Sequence, residues 1–112
     1  MTRIVLATRI RPKKRTEYVE MHFQPDPEAA RALYRFHHEN YRLDLVGPYA
    51  VASFDYTGAD IAEDRRQMRA LPELTDWMAR TQACQEPLSP EDTQIWSELT
   101  PIFTTSNRAA DD

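Results

Sequence analysis

ENYRLDLVGPYAVASFDY, residues 39–56, is the stretch on which the fold turns. Over residues 39–46 the side chains alternate. Tyr41, Leu43 and Leu45 point one way and Asn40, Arg42 and Asp44 the other, the period of a half-buried strand. Gly47-Pro48 is a turn signal. Residues 49–56 return as the partner strand until Thr57-Gly58 ends it. A β-hairpin therefore stands in the middle of the chain, and what flanks it decides the architecture.

Upstream, RIVLATRIR (3–11) is rich in β-branched residues and reads as a strand ending at Pro12. Pro12 suits the first turn of a helix, where a missing N–H is no loss, and that helix is expected to run to about Gln24. Pro25 and Pro27 break it. Asp26 is placed to cap a second short helix over residues 27–36, with Ala30, Leu33, Tyr34 and His37 expected on one face. Downstream, a helical stretch runs from Ala59 to about Ala70. Pro72 opens another helix, in which Leu74, Trp77, Met78 and Thr81 share a face. Residues 85–93 contain two prolines and read as a loop, residues 99–104 read as a last short strand, and residues 105–112 form a polar tail expected to be disordered.

The order is strand, helix, strand, strand, helix, strand. With right-handed crossovers this predicts an α+β, ferredoxin-like βαββαβ domain over residues 1–104, with its helices on one face of the sheet. The first strand is apolar on both sides of its pleat, Val5 and Ala7 against Ile4 and Leu6. The uncovered sheet face is therefore expected to meet a second subunit in a homodimer.

Composition narrows the function. The chain has 112 residues, enough for one core, and is 41% hydrophobic with a net charge of −4 from 14 basic and 18 acidic residues. The charges are interspersed, which argues against a phosphate-tracking surface and so against a nucleic-acid partner. The basic run RIRPKKR (9–15) straddles a proline and lacks interleaved aromatics. No segment approaches the ~20 apolar residues of a membrane span, and the N-terminus lacks the pattern of a signal peptide. A single cysteine excludes an internal disulfide framework and fits a reducing, cytoplasmic setting. Only two glycines are present, so there is no glycine-rich phosphate cradle. Nor do the three histidines show a spacing that supports a metal site.

Tyr18 and His22 lie four apart, stacked on one side of the first helix. An imidazole can both take and give a proton at working pH, although a tyrosine and a histidine on an apolar stripe also describe an ordinary core. Trp77 lies on the apolar face of its helix with Asp76 beside it. A core tryptophan is the plain reading; an indole that stacks on the C–H face of a sugar while a neighbouring carboxylate takes hydroxyl donors is the functional one. Trp96, an aromatic in a polar loop, needs something to cover.

Read together, these residues resemble the L-rhamnose mutarotase family, small dimeric α/β-barrel enzymes. The first half matches through Pro12, Glu17-Tyr18, His22, Pro27-Glu28, Leu33 and Asn40-Tyr41. The second half is more similar to the L-fucose mutarotase relatives, through Phe54-Asp55-Tyr56, Pro72, Trp77, Gln82, Pro87, Trp96, Leu99 and Ile102-Phe103. The resemblance implies interconversion of the anomers of a 6-deoxy-L-hexose, with His22 as proton donor to the ring oxygen and Tyr18 beside it in the catalytic pair. Tyr41, Trp77, Asp76, Trp96 and Asn40 would line the sugar, and no metal, cofactor or covalent nucleophile would be needed.

The chain also departs from the rhamnose-type pattern. Phe23-Gln24-Pro25-Asp26 stands where those members carry a tryptophan, Asp76-Trp77 replaces a tryptophan pair, and Asp44 lies where an aromatic can occur. These changes bear on which sugar is bound more than on the reaction. Two other readings stay open: an aromatic polyketide cyclase or cofactor-free monooxygenase on the same fold, and a non-catalytic small-ligand-binding module.

Overall fold

The computed structural model describes residues 1–105. Its elements run β1 (Thr2–Ile10), α1 (Arg15–Met21), α2 (Pro27–Arg35), β2 (His38–Val46), β3 (Tyr49–Tyr56), α3 (Ile61–Arg69), α4 (Thr75–Ala83), β4 (Gln85–Glu86) and β5 (Ser97–Glu98). Short 3-10 turns at Pro12–Lys14 and Pro72–Leu74 lead into α1 and α4. The sheet order is β2-β3-β1-β4, with β5 also on β1, and each paired strand is antiparallel to its neighbour. This is the ferredoxin-like order expected from the sequence.

The central hairpin forms as its sequence dictates. Gly47 sits at φ +55, at the first central position of the two-residue turn, where positive φ lets the strands keep their twist. Along β3, Ala50, Ala52, Phe54 and Tyr56 are buried while Val51, Ser53 and Asp55 between them are half-exposed, so the period of two separates a helix-covered face from an open one. β1 follows the same register, with Leu6 opposite Ala52 and Thr8 opposite Ala50. On β2 a bulge between Glu39 and Arg42 puts Asn40 at φ +53, a conformation asparagine tolerates better than most residues.

Two apolar clusters fill the space between sheet and helices. Ile10, Tyr18, Met21, Ala50 and Cys84 form one, with Leu43, Trp77 and Trp96 packed against it. Ala32, Phe36 and Leu74 form the other, with Ala29, Met68, Leu71 and Met78. Burying a side chain such as Ile10 stabilises the fold by roughly 1.5–3 kcal/mol. The small side chain of Ala50 leaves room for Tyr18 and Met21 above the sheet.

Three local expectations are corrected. α1 stops at Met21, short of Gln24, because Pro25 has no N–H to give and its ring collides with the carbonyl four residues earlier. In α2 the buried residues are Ala32 and, just beyond its end, Phe36, with Ala29 alongside, while Tyr34 and His37 are exposed. Residues 29, 32, 33 and 36 repeat the spacing of 30, 33, 34 and 37 one position earlier, and spacing alone cannot choose between adjacent stripes. The last sheet strand does not lie at residues 99–104. It is divided into β4 and β5, joined by a loop containing Pro87 and Pro90. Leu99 N still donates to Val5 O at 2.8 Å, but Pro101 has no donor with which to continue the ladder. Ile102 and Phe103 are left 98% and 82% exposed.

Asp26 caps α2 as expected, accepting from Glu28 N at 2.9 Å. The face of α4 that holds Leu74, Trp77, Met78 and Thr81 turns inward as expected. Among the described residues no helix is long and apolar enough to cross a membrane. Of the polar tail, residues 106–112 lie outside the described part of the chain.

Candidate active site

α1 positions the first two groups by its own geometry. The Tyr18 and His22 rings, one turn apart, have centroids 4.7 Å from each other. His22 is the C-cap residue, so its ring stands where the helix has ended and the chain turns away. Its Nδ1 lies 2.6 Å from the carbonyl oxygen of Tyr18. A carbonyl can only accept, so Nδ1 carries the hydrogen. In the neutral ring the lone pair is therefore on Nε2, and in the charged ring Nε2 carries the second proton. Either way Nε2 is the atom available for exchange.

α4 brings Trp77 edge-on to His22, centroids 5.3 Å apart at 71°, and the Arg80 guanidinium stands 6.0 Å over the indole. Trp96 reaches the same cluster from the loop between β4 and β5. That loop is held at both ends by one side chain: the Thr8 hydroxyl, buried in β1, is shared between Ile95 O at 2.7 Å and Glu86 O at 3.2 Å. From β2, Tyr41 stacks on Phe54 with centroids 5.9 Å apart. Tyr41 is 41% exposed; partial burial first, and then the adjacent Tyr18 phenol, push its pKa up to about 12. The Tyr18 phenol is also pushed up, by burial first, while a hydrogen bond from Gln85 works in the opposite direction. Both phenols therefore hold their protons at neutral pH.

Tyr18, His22, Trp77, Trp96 and Tyr41 are thus gathered from α1, α4, the β4–β5 loop and β2. The other two candidates stand apart. Asp76 is exposed in the first turn of α4, and Asn40 uses its side chain to bond Asp55 at 2.9 Å, on the sheet face where Arg3 also approaches Asp55. Two residues that the sequence does not mark as part of a site belong to the cluster's supports. Gln85, read as a loop residue, is buried and donates from Nε2 to the Tyr18 hydroxyl at 3.1 Å. Cys84 is buried with its thiol donating to Glu17 Oε2 at 3.3 Å. Burial first, and then that carboxylate, push its pKa up, which disfavours the reactive thiolate. Neither residue carries a local signal, since each acquires its neighbour from 67 positions away.

The remaining histidines are occupied elsewhere. His38 is buried, stacks on Phe54 at 4.4 Å and bonds Phe36 O through Nδ1 at 2.8 Å. Burial pushes its pKa down, so it favours the neutral ring. His37 pairs with Asp64 at 3.0 Å. Among the described residues, no group of three or more His, Cys, Asp or Glu side chains is arranged to hold a metal ion.

A family model for L-rhamnose mutarotase matches residues 3–105. The chain belongs to the L-rhamnose mutarotase family. No curated protein matches it in sequence. Among solved structures, it is similar to the L-rhamnose mutarotase of Formosa agariphila, with a TM-score of 0.69, 16% identity, and 95% of this chain and 100% of that chain covered. It is also similar to tetracenomycin F2 cyclase of Streptomyces glaucescens, a type-II polyketide cyclase, with a TM-score of 0.67, 13% identity and the same coverage. A NIPSNAP family protein of Agrobacterium tumefaciens follows, with a TM-score of 0.56, 18% identity, and 91% and 89% coverage. At these identities the structural likenesses establish the fold, which mutarotase and cyclase share, and leave the chemistry to the site.

Proposed function

We propose that this member of the family is an isomerase that interconverts the α and β anomers of a 6-deoxy-L-hexose, fucose-like or rhamnose-like, by acid/base opening of the pyranose ring. The observation that carries the reading is the hydrogen bond of His22 Nδ1 to the Tyr18 carbonyl, which leaves Nε2 available for proton exchange beside the rings of Tyr18 and Trp77. Anomer exchange needs one group to take the proton of the anomeric hydroxyl and another to give a proton to the ring oxygen. The Tyr18 phenol keeps its proton at neutral pH and suits the second task. His22 Nε2, with Nδ1 held on the Tyr18 carbonyl, suits the first, and returns the proton when the ring recloses. The family resemblance implies the opposite division, in which His22 serves the ring oxygen.

Trp77 offers an apolar face for the C–H side of the sugar and the 6-methyl group. Trp96 and Tyr41 line the remaining sides, and Asp76 stays a candidate for an outer hydroxyl, whereas Asn40 is engaged with Asp55 on the opposite face of the sheet. A homodimer through the open sheet face is part of the proposal. It is supported by Val5, Ala7 and Val51 on that face and by the exposed Leu99, Ile102 and Phe103 beyond β5.

The likeness to tetracenomycin F2 cyclase favours one second reading, an enzyme acting on flat aromatic polyketides whose rings would stack among Tyr41, Trp77 and Trp96. A non-catalytic binder is the third. Saturation-transfer NMR on L-fucose, L-rhamnose and unsubstituted hexoses separates them. Protein-dependent exchange between anomer signals supports the mutarotase and names its sugar. Its absence for every sugar, from a folded protein, removes that reading and turns the search to aromatic ligands.

A further inference from the structure

We propose that Gln85 is a positioning residue that makes Tyr18 a proton donor to the bound sugar, by giving the phenolic oxygen an amide N–H from beneath. This rests on the mutarotase reading above. Gln85 belongs to β4, opposite Ile10 of β1. It is 4% exposed and Tyr18 is 2% exposed, with Nε2 3.1 Å from the hydroxyl. An uncharged polar side chain buried this deeply needs a partner, and here the partner is the phenol.

The direction of the bond matters. An amide nitrogen can only donate, so it occupies a lone pair of the phenolic oxygen and leaves that oxygen's own hydrogen to be given elsewhere. The titratable groups around the phenol are the His22 ring on α1, the Tyr41 phenol on β2, and the Cys84 thiol after α4, itself bonded to Glu17.

The proton of the anomeric hydroxyl passes to His22 Nε2. The bond between the anomeric carbon and the ring oxygen breaks, its electron pair goes to the ring oxygen, and that oxygen takes the Tyr18 proton while the carbonyl forms. An imidazolium and a phenolate remain. The amide N–H of Gln85 holds the phenolate charge at a buried end of the ring, where a preorganised donor is worth most. Closure on the other face of the carbonyl returns both protons.

The test uses Gln85→Leu and Gln85→Glu in the full chain, with L-fucose and L-rhamnose as probes. In Gln85→Leu, kcat for anomer exchange is expected to fall by about 100-fold with KM nearly unchanged. The Tyr18 ionisation should move up, read as the difference between ultraviolet titrations with and without Tyr18→Phe. In Gln85→Glu the carboxylate accepts the phenol's hydrogen and turns it from the pocket. Activity relative to wild type is then expected to be lowest at alkaline pH and to recover as the carboxyl is protonated and becomes a donor. A packing role would not produce that pH-dependent ratio, and it remains readable if Gln85→Leu is unstable. Wild-type exchange that persists in both variants, or a Tyr18 ionisation that does not move, overturns the proposal alone. Absence of exchange in the wild type overturns the mutarotase reading, and this role with it.

Discussion

His22 Nδ1 lies 2.6 Å from the carbonyl oxygen of Tyr18, so the residue one turn earlier in α1 both stacks on the imidazole and fixes which of its nitrogens is free. A histidine used only for packing would gain nothing from the unoccupied nitrogen. His22→Ala is accordingly expected to lower anomer exchange by about 10²–10⁴-fold, the usual contribution of a positioned acid/base group. Its melting temperature should change little, because the ring is only partly buried. Exchange by NMR and thermal unfolding of the same samples check both halves. A large loss of stability with exchange retained would return His22 to the core.

Tyr41 provides a pH test. Its pKa is pushed up to about 12, chiefly by partial burial. A raised pKa means that the unfolded chain releases the proton first. Stability from the protonated phenol is therefore fully present below the ordinary value near ~10 and is lost as pH rises through about 12. Absorbance titration at the phenolate band should show one late-ionising tyrosine that Tyr41→Phe removes, and the variant should unfold less steeply over that alkaline window. Ionisation of Tyr41 together with the more exposed Tyr34 would contradict its placement against Tyr18.

Thr8 makes a separable prediction about the β4–β5 loop. Thr8→Val keeps the shape of the side chain but withdraws the donor from Ile95 O and Glu86 O, and an unsatisfied buried carbonyl costs about 1–3 kcal/mol. The loop should loosen at both ends. Trp96 fluorescence, measured with Trp77→Phe as background, is expected to shift to longer wavelength, while Thr8→Ser retains the wild-type spectrum. An unchanged spectrum in Thr8→Val would mean that the loop is held by other contacts.

The opposite end of the sheet carries a polar clamp in which Tyr56 donates to Asp64 at 2.5 Å and His37 approaches the same oxygen at 3.0 Å. Both hydrogen bonds, that of Tyr56 first, hold the Asp64 carboxyl below its ordinary pKa. A depressed pKa contributes stability that is present above the ordinary carboxylate value near ~3.9 and is lost as pH falls through the folded value. Asp64→Asn should therefore flatten the acid limb of the stability curve. Gly58 lies under this clamp: a Cβ there would stand 2.5 Å from the Tyr56 hydroxyl and 2.8 Å from Asp64 Oδ2. Gly58→Ala is expected to lower stability by about 1–3 kcal/mol, read by denaturant unfolding, and to erase most of the effect of Asp64→Asn in the double variant.

Much of the site was legible as parts. The four-residue interval between Tyr18 and His22 needs only a helix to stack the rings, and Trp77 is turned inward by the same stripe that holds Leu74 and Met78. Trp96 invited attention because an aromatic in a polar loop lacks a local reason. Thr8 and Gln85 gave no such sign. A threonine in a strand and a glutamine two residues before a proline are ordinary residues until β1 and β4 pair.

The sequence by itself determined what depends on neighbours a few residues away. Gly47-Pro48 turns the central hairpin, Pro25 ends α1, Asp26 starts α2, and the alternation along β3 gives the sheet two faces. These follow from backbone sterics and local hydrogen bonding, which act over one turn or one strand. Only the tertiary structure decided which of two adjacent stripes of α2 is buried, where the last strand pairs, and which side chain supports the Tyr18 phenol. Gln85 lies 67 positions from Tyr18 and reaches it because Ile10 pairs with Gln85 across β1 and β4. That pairing follows from burial and hydrogen bonding summed over the whole sheet, a quantity no single stretch of the chain contains.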